Sequence, residues 1–245
     1  MSPRPTSRRS TRRRARRRLR RRSARRPELY LTGYALDDAV HRLAEPADGP
    51  GAAAVARVAA AHGLTVLYGY PERAGDAVYN AAQLIAPTAP GSPTTARRIS
   101  TDRTSAAGSP GRDPVVQARL GGLTVGVLIC YDVEFPENVR AHALAGTDLL
   151  LVPTAQTRPF AFVAERLVPV RAFESQLYVA YVNRTGPEGA FDFVGLSCLA
   201  GPDGAVVARA GSGEELILGE ADPERLRASR AANPYLRDRR PELYA

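Results

Sequence analysis

In GVLICYDVEFPE, residues 126–137, a cysteine directly follows an apolar run and is itself followed by a crowd of polar groups. A free cysteine is most often a small buried hydrophobe. Here the run Leu123 to Ile129 has the composition of a strand covered on both faces and stops abruptly at Cys130, so the thiol stands at a strand end. Tyr131, Asp132, Glu134 and Glu137 fill the following turn, and Pro136 suits the first turn of a helix continuing through Asn138 to Ala145. Strand, cysteine and helix start together make a nucleophile turn. A thiol near pKa 8.5 attacks only as thiolate, so a base is required. His41, His62 and His142 are scattered, which leaves carboxylates as partners for Cys130. The second cysteine, Cys198 in GLSCLAGPDG, reads as core.

Other chemistries find little support. No His-Glu-x-x-His or paired-cysteine spacing is present, so no metal centre is expected. There is no phosphate-binding Gly-x4-Gly-Lys loop, and the chain has no lysine at all. The serine elbow fails because Ser197 lacks a glycine two residues later.

The elements that must position these residues alternate. Ala52 to His62 reads as a helix closed by Gly63, Leu64 to Tyr68 as a strand, and Ala81 to Ile85 and Val115 to Leu120 as two more. Leu149 to Pro153 and Tyr178 to Asn183 read as strands flanking a helix from Phe162 to Gln176, and a last hairpin is expected from Val194 to Ala208 through Pro-Asp-Gly. The alternation implies layered α/β architecture in one domain. Residues 88 to 113 have no periodicity and scarcely any apolar side chain, so they read as an anomalous structureless loop.

The net charge of +9 is concentrated. Residues 1–26 hold 14 of the 34 basic residues and no acid, so the remaining chain has 20 basic against 25 acidic groups, or −5. The Arg-rich arm reads as disordered and the body as acidic, so no specific nucleic-acid function is expected, and any binding by the arm should be weak and salt-sensitive. Two cysteines, no bilayer-length apolar run and no apolar stretch after the arginines point to a cytoplasmic protein without disulfides or a membrane anchor.

PELYLTGY (27–34), YGYPERAGDAVYNAA (68–82), VGVLICYDVEFPE (125–137), LLLVPTA (149–155), RAFESQLYVAYVNRTG (171–186) and GLSCLAGPDG (195–204) together resemble the ordered motif set of the nitrilase superfamily, the carbon-nitrogen hydrolases, in its amidase-like branch. The resemblance covers nearly all of 27–245. It implies a four-layer α-β-β-α sandwich, pairing into a homodimer or higher homo-oligomer, and hydrolysis of a small amide without cofactor. Nitrilase or N-carbamoyl hydrolase specificity and a catalytically dead homologue are the alternatives. By the same resemblance Glu28 is the general base, Cys130 the nucleophile and the Tyr131 N–H an oxyanion donor, while Glu72, Glu134, Thr154 and Ala155 take positioning or pocket roles.

The resemblance also implies a catalytic lysine between Asn80 and Gly121, in a pattern like Tyr-Arg-Lys-Thr-His-Leu. This chain has ARRIST there, with Arg97 or Arg98 nearest, and a planar guanidinium does not replace a compact ammonium. The genetic code offers a reason. Codon choices exist for residues 87 to 110 that, read one frame away, spell DGPRLANYRKTHLYGPDERRWFT, which restores the lysine and a glutamate eight residues later. In the other frame, residues 16 to 25 permit AAACGADLLV, an apolar strand leading into PELYLTGY.

Overall fold

The structure, a computed structural model, describes residues 23–87, the backbone of 96–100, and residues 115–243. Its centre is two sheets packed face to face. One has the order β1(Ser23–Arg25), β2(Thr65–Ala74), β3(Ala77–Ile85), β4(Ala96–Ser100). The other has the order β12(Val206–Arg209), β11(Cys198–Ala200), β8(Tyr178–Asn183), β7(Leu149–Thr154), β6(Leu123–Val127), β5(Gln117–Leu120). A separate two-stranded ribbon joins β9(Thr185–Glu188) and β10(Phe191–Val194).

Strand alternation explains the layers, since neighbouring side chains face opposite sides. Leu67, Ala82 and Leu84 of the first sheet meet Val125, Val127, Leu149, Leu151 and Ala180 of the second in a core between the sheets. The alternate residues Val66, Tyr68 and Ile85 turn outward onto Ala52, Val55, Ala56 and Ala59 of the helix Pro50–His62. On the far side, Leu150, Val152, Val179 and Tyr181 pack on the helices Pro136–Leu144 and Val168–Ser175 through Val139, Ala143, Val168 and Ala172. This is the expected four-layer α-β-β-α sandwich. We label these helices α2, α3 and α4, after the short α1(Ala39–Leu43) and before α5(Pro223–Ala232).

Several boundaries differ from the sequence reading. The arm drawn as residues 1–26 ends too late: Ser23–Arg25 form β1, pairing in parallel with Thr65–Leu67. Residues 1–22, and the disorder and weak nucleic-acid binding expected of them, lie outside the described residues. The anomalous stretch 88–113 contains β4, whose backbone pairs antiparallel with β3 from Ala81↔Ser100 to Ile85↔Ala96. The rest of that stretch also lies outside the described residues. The strand expected over Leu64 to Tyr68 continues to Ala74, because Gly75, at φ 63°, turns the chain tightly enough for Ala74 to pair with Ala77. The helix expected over Phe162 to Gln176 opens with a π-helical stretch, Val163–Leu167, next to Pro169, a residue with no N–H for a regular ladder.

The last expected hairpin divides into two. Phe191–Val194 pairs back onto Thr185–Glu188, and only β11 and β12 close around Pro202-Asp203-Gly204. Gly195, at φ 70°, and Leu196, at φ 58°, turn the chain between the two pairings. No helix among the described residues is long and apolar enough to cross a membrane.

Candidate active site

Cys130 stands where β6 ends and a 3-10 turn, Cys130–Glu134, begins. Ile129 remains extended, but its N–H donates to Asp132 Oδ2 at 3.0 Å instead of continuing the ladder, and Asp132 N–H returns to the Ile129 carbonyl at 3.1 Å. Closing this turn holds Cys130 at φ 50°, a left-handed conformation unusual for a residue with a Cβ. Strain of that kind at a strand end lifts a side chain out of the sheet toward a site. Cys198 has no such geometry. It is buried in β11, burial pushes its thiol up to about 11, and it remains a core thiol as the sequence suggested.

Cys130, Tyr131, Glu134 and Ala155 line one cavity of about 220 Å³, together with Tyr34, Gln156, Thr157 and Phe191. Four of the seven site residues named from the sequence thus come together. Ala155 follows β7, whose last residue, Thr154, is fully buried behind the cavity with its hydroxyl donating to the Val152 carbonyl at 3.2 Å. Tyr181, next to it on β8, has a hydroxyl pushed well above the usual tyrosine range, first by burial and then by its nearness to Cys130 and Glu134. Glu134 is held from across the cavity, where Gln156 Nε2 donates to its Oε1 at 2.9 Å. Arg171 of α4 fixes the backbone beneath it by donating to the Val133 and Glu134 carbonyls at 3.2 and 2.6 Å.

Glu72 lies on β2 of the other sheet and Glu28 in the turn that follows β1, and neither lines this cavity. Glu28 is 2% exposed, and Asn80 of β3 donates to its Oε1 at 2.6 Å. Gly69 explains how it gets there. A Cβ at that position would lie 2.6 Å from the Leu29 nitrogen and 2.9 Å from the Glu28 Cα, so only glycine in β2 lets the Glu28–Leu29 backbone pack on the strand. Glu72 is fully buried, and the Tyr70 hydroxyl donates to it at 2.5 Å.

One arginine ties the Glu28 segment to the second sheet. Arg184 Nη1 donates to the carbonyls of Glu28 and Leu29 at 3.1 and 3.3 Å, and its Nη2 pairs with Glu188. Burial alone would raise the Glu188 carboxyl, but the N–H groups of Ala35 and Tyr34 and the Arg184 guanidinium hold it below the usual carboxylate range. Sequence reasoning missed this clamp. It also missed Tyr34, Gln156, Thr157 and Phe191, although the first lies inside PELYLTGY. Phe191 belongs to the ribbon that was not foreseen, and packs edge-on against Tyr34 at 5.2 Å. Among the described residues no group of histidine, cysteine and carboxylate side chains could hold a metal ion.

Residues 26–231 match the carbon-nitrogen hydrolase family. A hydrolase in the pqqF 5' region of Pseudomonas protegens is 48% identical over 223 residues, covering 89% of this chain and 78% of its own. An (R)-stereoselective amidase of a Pseudomonas species is 31% identical, covering 87% of this chain and 78% of its own. Among solved structures, an amidase from Nesterenkonia sp. AN1 superposes with a TM-score of 0.71 at 29% identity, over 89% of this chain and 80% of that one, as a cysteine-to-alanine mutant in complex with butyramide. A further mutant of that amidase carries the acetamide moiety of fluoroacetamide on its active-site cysteine.

Proposed function

The chain belongs to the carbon-nitrogen hydrolase family, and we propose that its site is built to hydrolyse a small carboxylic amide to acid and ammonia through a thioester on Cys130. Glu28 takes the thiol proton, and the thiolate attacks the amide carbon. The Tyr131 N–H receives the developing oxyanion. Collapse of the adduct breaks the C–N bond as Glu28 returns the proton to the leaving ammonia. Glu28 then deprotonates a water that attacks the thioester, and the acid leaves with the thiol restored. The observation that carries this reading is Cys130 itself, held at φ 50° on a strand end and opening onto a cavity. The butyramide complex of the Nesterenkonia amidase supports an amide substrate.

The site as given lacks the lysine that the family resemblance requires, since the chain contains none. Losing one preorganised oxyanion donor costs about 10²–10³ in rate, and here the donor would also favour the thiolate. We therefore propose that residues 16–25 and 88–109 are frame-altered and that the chain as given is nearly inactive. Arg25 supports this. In β1 it stands opposite Leu67, on the face turned to the inter-sheet core, where the altered reading has valine.

A repaired chain, with AAACGADLLV in place of residues 16–25 and DGPRLANYRKTHLYGPDERRWFT in place of residues 88–109, should release ammonia from butyramide while the unaltered chain does not. Robust turnover by the unaltered chain, or none by the repaired one, would refute the frame proposal. We also propose a homodimer through the outer face of α3 and α4, where Leu144 and Val170 are exposed. Light scattering of the purified chain would test it.

A further inference from the structure

The cavity beside Cys130 has a polar side, where Gln156 Nε2 donates to Glu134 at 2.9 Å, and an aromatic side that includes Tyr34 and Phe191. Apolar surface gains by leaving water for the rings, whereas a hydrogen-bonded polar pair offers it nothing, so an amide held at Cys130 sends its hydrocarbon chain toward the aromatic side. The rings there are not equally fixed. Phe193, behind them, is fully buried with the Arg184 guanidinium 5.5 Å from its centroid, and Tyr34 stands edge-on to it at 5.4 Å with its own N–H bound to Glu188. Phe191 is 38% exposed, stacked on Phe193 at 5.9 Å and edge-on to Tyr34 at 5.2 Å. The ribbon that carries it is tied on both sides. Val194 N–H donates to the Gln156 carbonyl at 3.0 Å, Arg158 meets Asp192 at 2.6 Å, and the turn at Gly189 packs so closely that a Cβ there would lie 2.8 Å from the Ala35 Cβ. With the backbone held, the depth of the aromatic side depends on one ring.

Resting on the amidase reading above, we propose that this site takes short aliphatic amides and that Phe191 is the specificity-determining residue, its ring closing the acyl end of the cavity. At ~30 Å³ for each water-sized atom, a cavity of about 220 Å³ has room for roughly seven. Butyramide has fewer non-hydrogen atoms than that, and hexanamide has more. Phe191 takes no part in bond making. Its effect is on how long an acyl chain is admitted, not on how the amide is cleaved.

Protection of the thiol tests this without any turnover. In the full chain carrying Cys198→Ala, Cys130 is the only thiol, and its rate of modification by methyl methanethiosulfonate is measured against rising concentrations of propionamide, butyramide or hexanamide. The concentration giving half-protection should fall about fourfold from propionamide to butyramide, the gain from one more buried methylene, and should rise again at hexanamide. Phe191→Ala should reverse that last step, so that hexanamide protects about tenfold better than butyramide, and Phe191→Leu should lie between Phe191→Ala and the parent. Hexanamide protecting as well as butyramide in the parent, or an order that both Phe191 variants leave unchanged, would overturn the inference and leave the amidase reading standing. Protection by none of the amides would overturn both.

Discussion

Arg25→Val should make the chain more stable, although it removes a charge and shortens a long side chain. Arg25 Nε is buried without a hydrogen-bond partner among the described residues. Burial also lowers the guanidinium pKa from 12.5 to about 10. Because the folded value lies below the unfolded one, the charged form is disfavoured in the fold at every pH below about 10, including neutrality. At about 1.36 kcal/mol per unit, that corresponds to about 3 kcal/mol, and partial exposure of the residue reduces it. Valine removes this penalty and the orphan donor together, suits a strand through its β-branch, and loses only the packing of the arginine stem. The net gain should be about 1–3 kcal/mol, raising Tm by about 2–10 °C for a chain of this size. Thermal unfolding at pH 7 followed by circular dichroism, with urea midpoints as a second measure, would read it. Arg25→Gln, which discards the charge but keeps a polar end, should gain less. An unchanged or lowered Tm for Arg25→Val would mean that the guanidinium is satisfied where it lies, and would remove the structural support for an altered frame.

In the repaired chain, Cys130→Ala should abolish ammonia release with the fold intact, whereas Cys198→Ala should leave it nearly unchanged; equal losses would refute the assignment of the nucleophile. At pH 8 iodoacetamide should modify Cys130 well before Cys198, whose thiol burial holds at about 11, as peptide mass mapping would show. Gly69→Ala should lower butyramide turnover of the repaired chain by about 10–100-fold, because the added methyl pushes the Glu28 backbone off β2 and misplaces the base; an unchanged kcat would mean that the strand yields instead. His142 is fully buried, with Nδ1 3.2 Å from the Thr147 hydroxyl, and burial lowers its pKa from 6.5 to about 4. The folded state thus resists a proton that the unfolded chain accepts, so stability is complete above pH 6.5 and falls by up to about 3 kcal/mol as pH drops toward 4. His142→Gln should flatten the urea midpoint across that window, and a slope identical to that of the parent would refute the linkage.

The chain itself determined a great deal. The apolar run Leu64–Tyr68, the mostly apolar runs of β6 and β7, and Gly63 closing α2 at φ 60° are local signals, and they yielded the layered architecture. Cys130 was legible because an apolar run halts there and polar residues begin. Glu28 was legible only through the motif PELYLTGY, since a single carboxylate two residues after an arginine run has no local signature of burial. Tertiary structure alone decided that Glu134 faces the cavity while Glu72 is enclosed within its own sheet with Tyr70. Both are glutamates in polar turns or strand ends, and nothing within a few residues of either distinguishes them. The same holds for Arg184, whose contacts with Glu28 and Leu29 lie more than 150 residues away. Periodicity and capping arise between near neighbours and can be read from the chain, whereas the face a carboxylate finally meets depends on how two sheets pack.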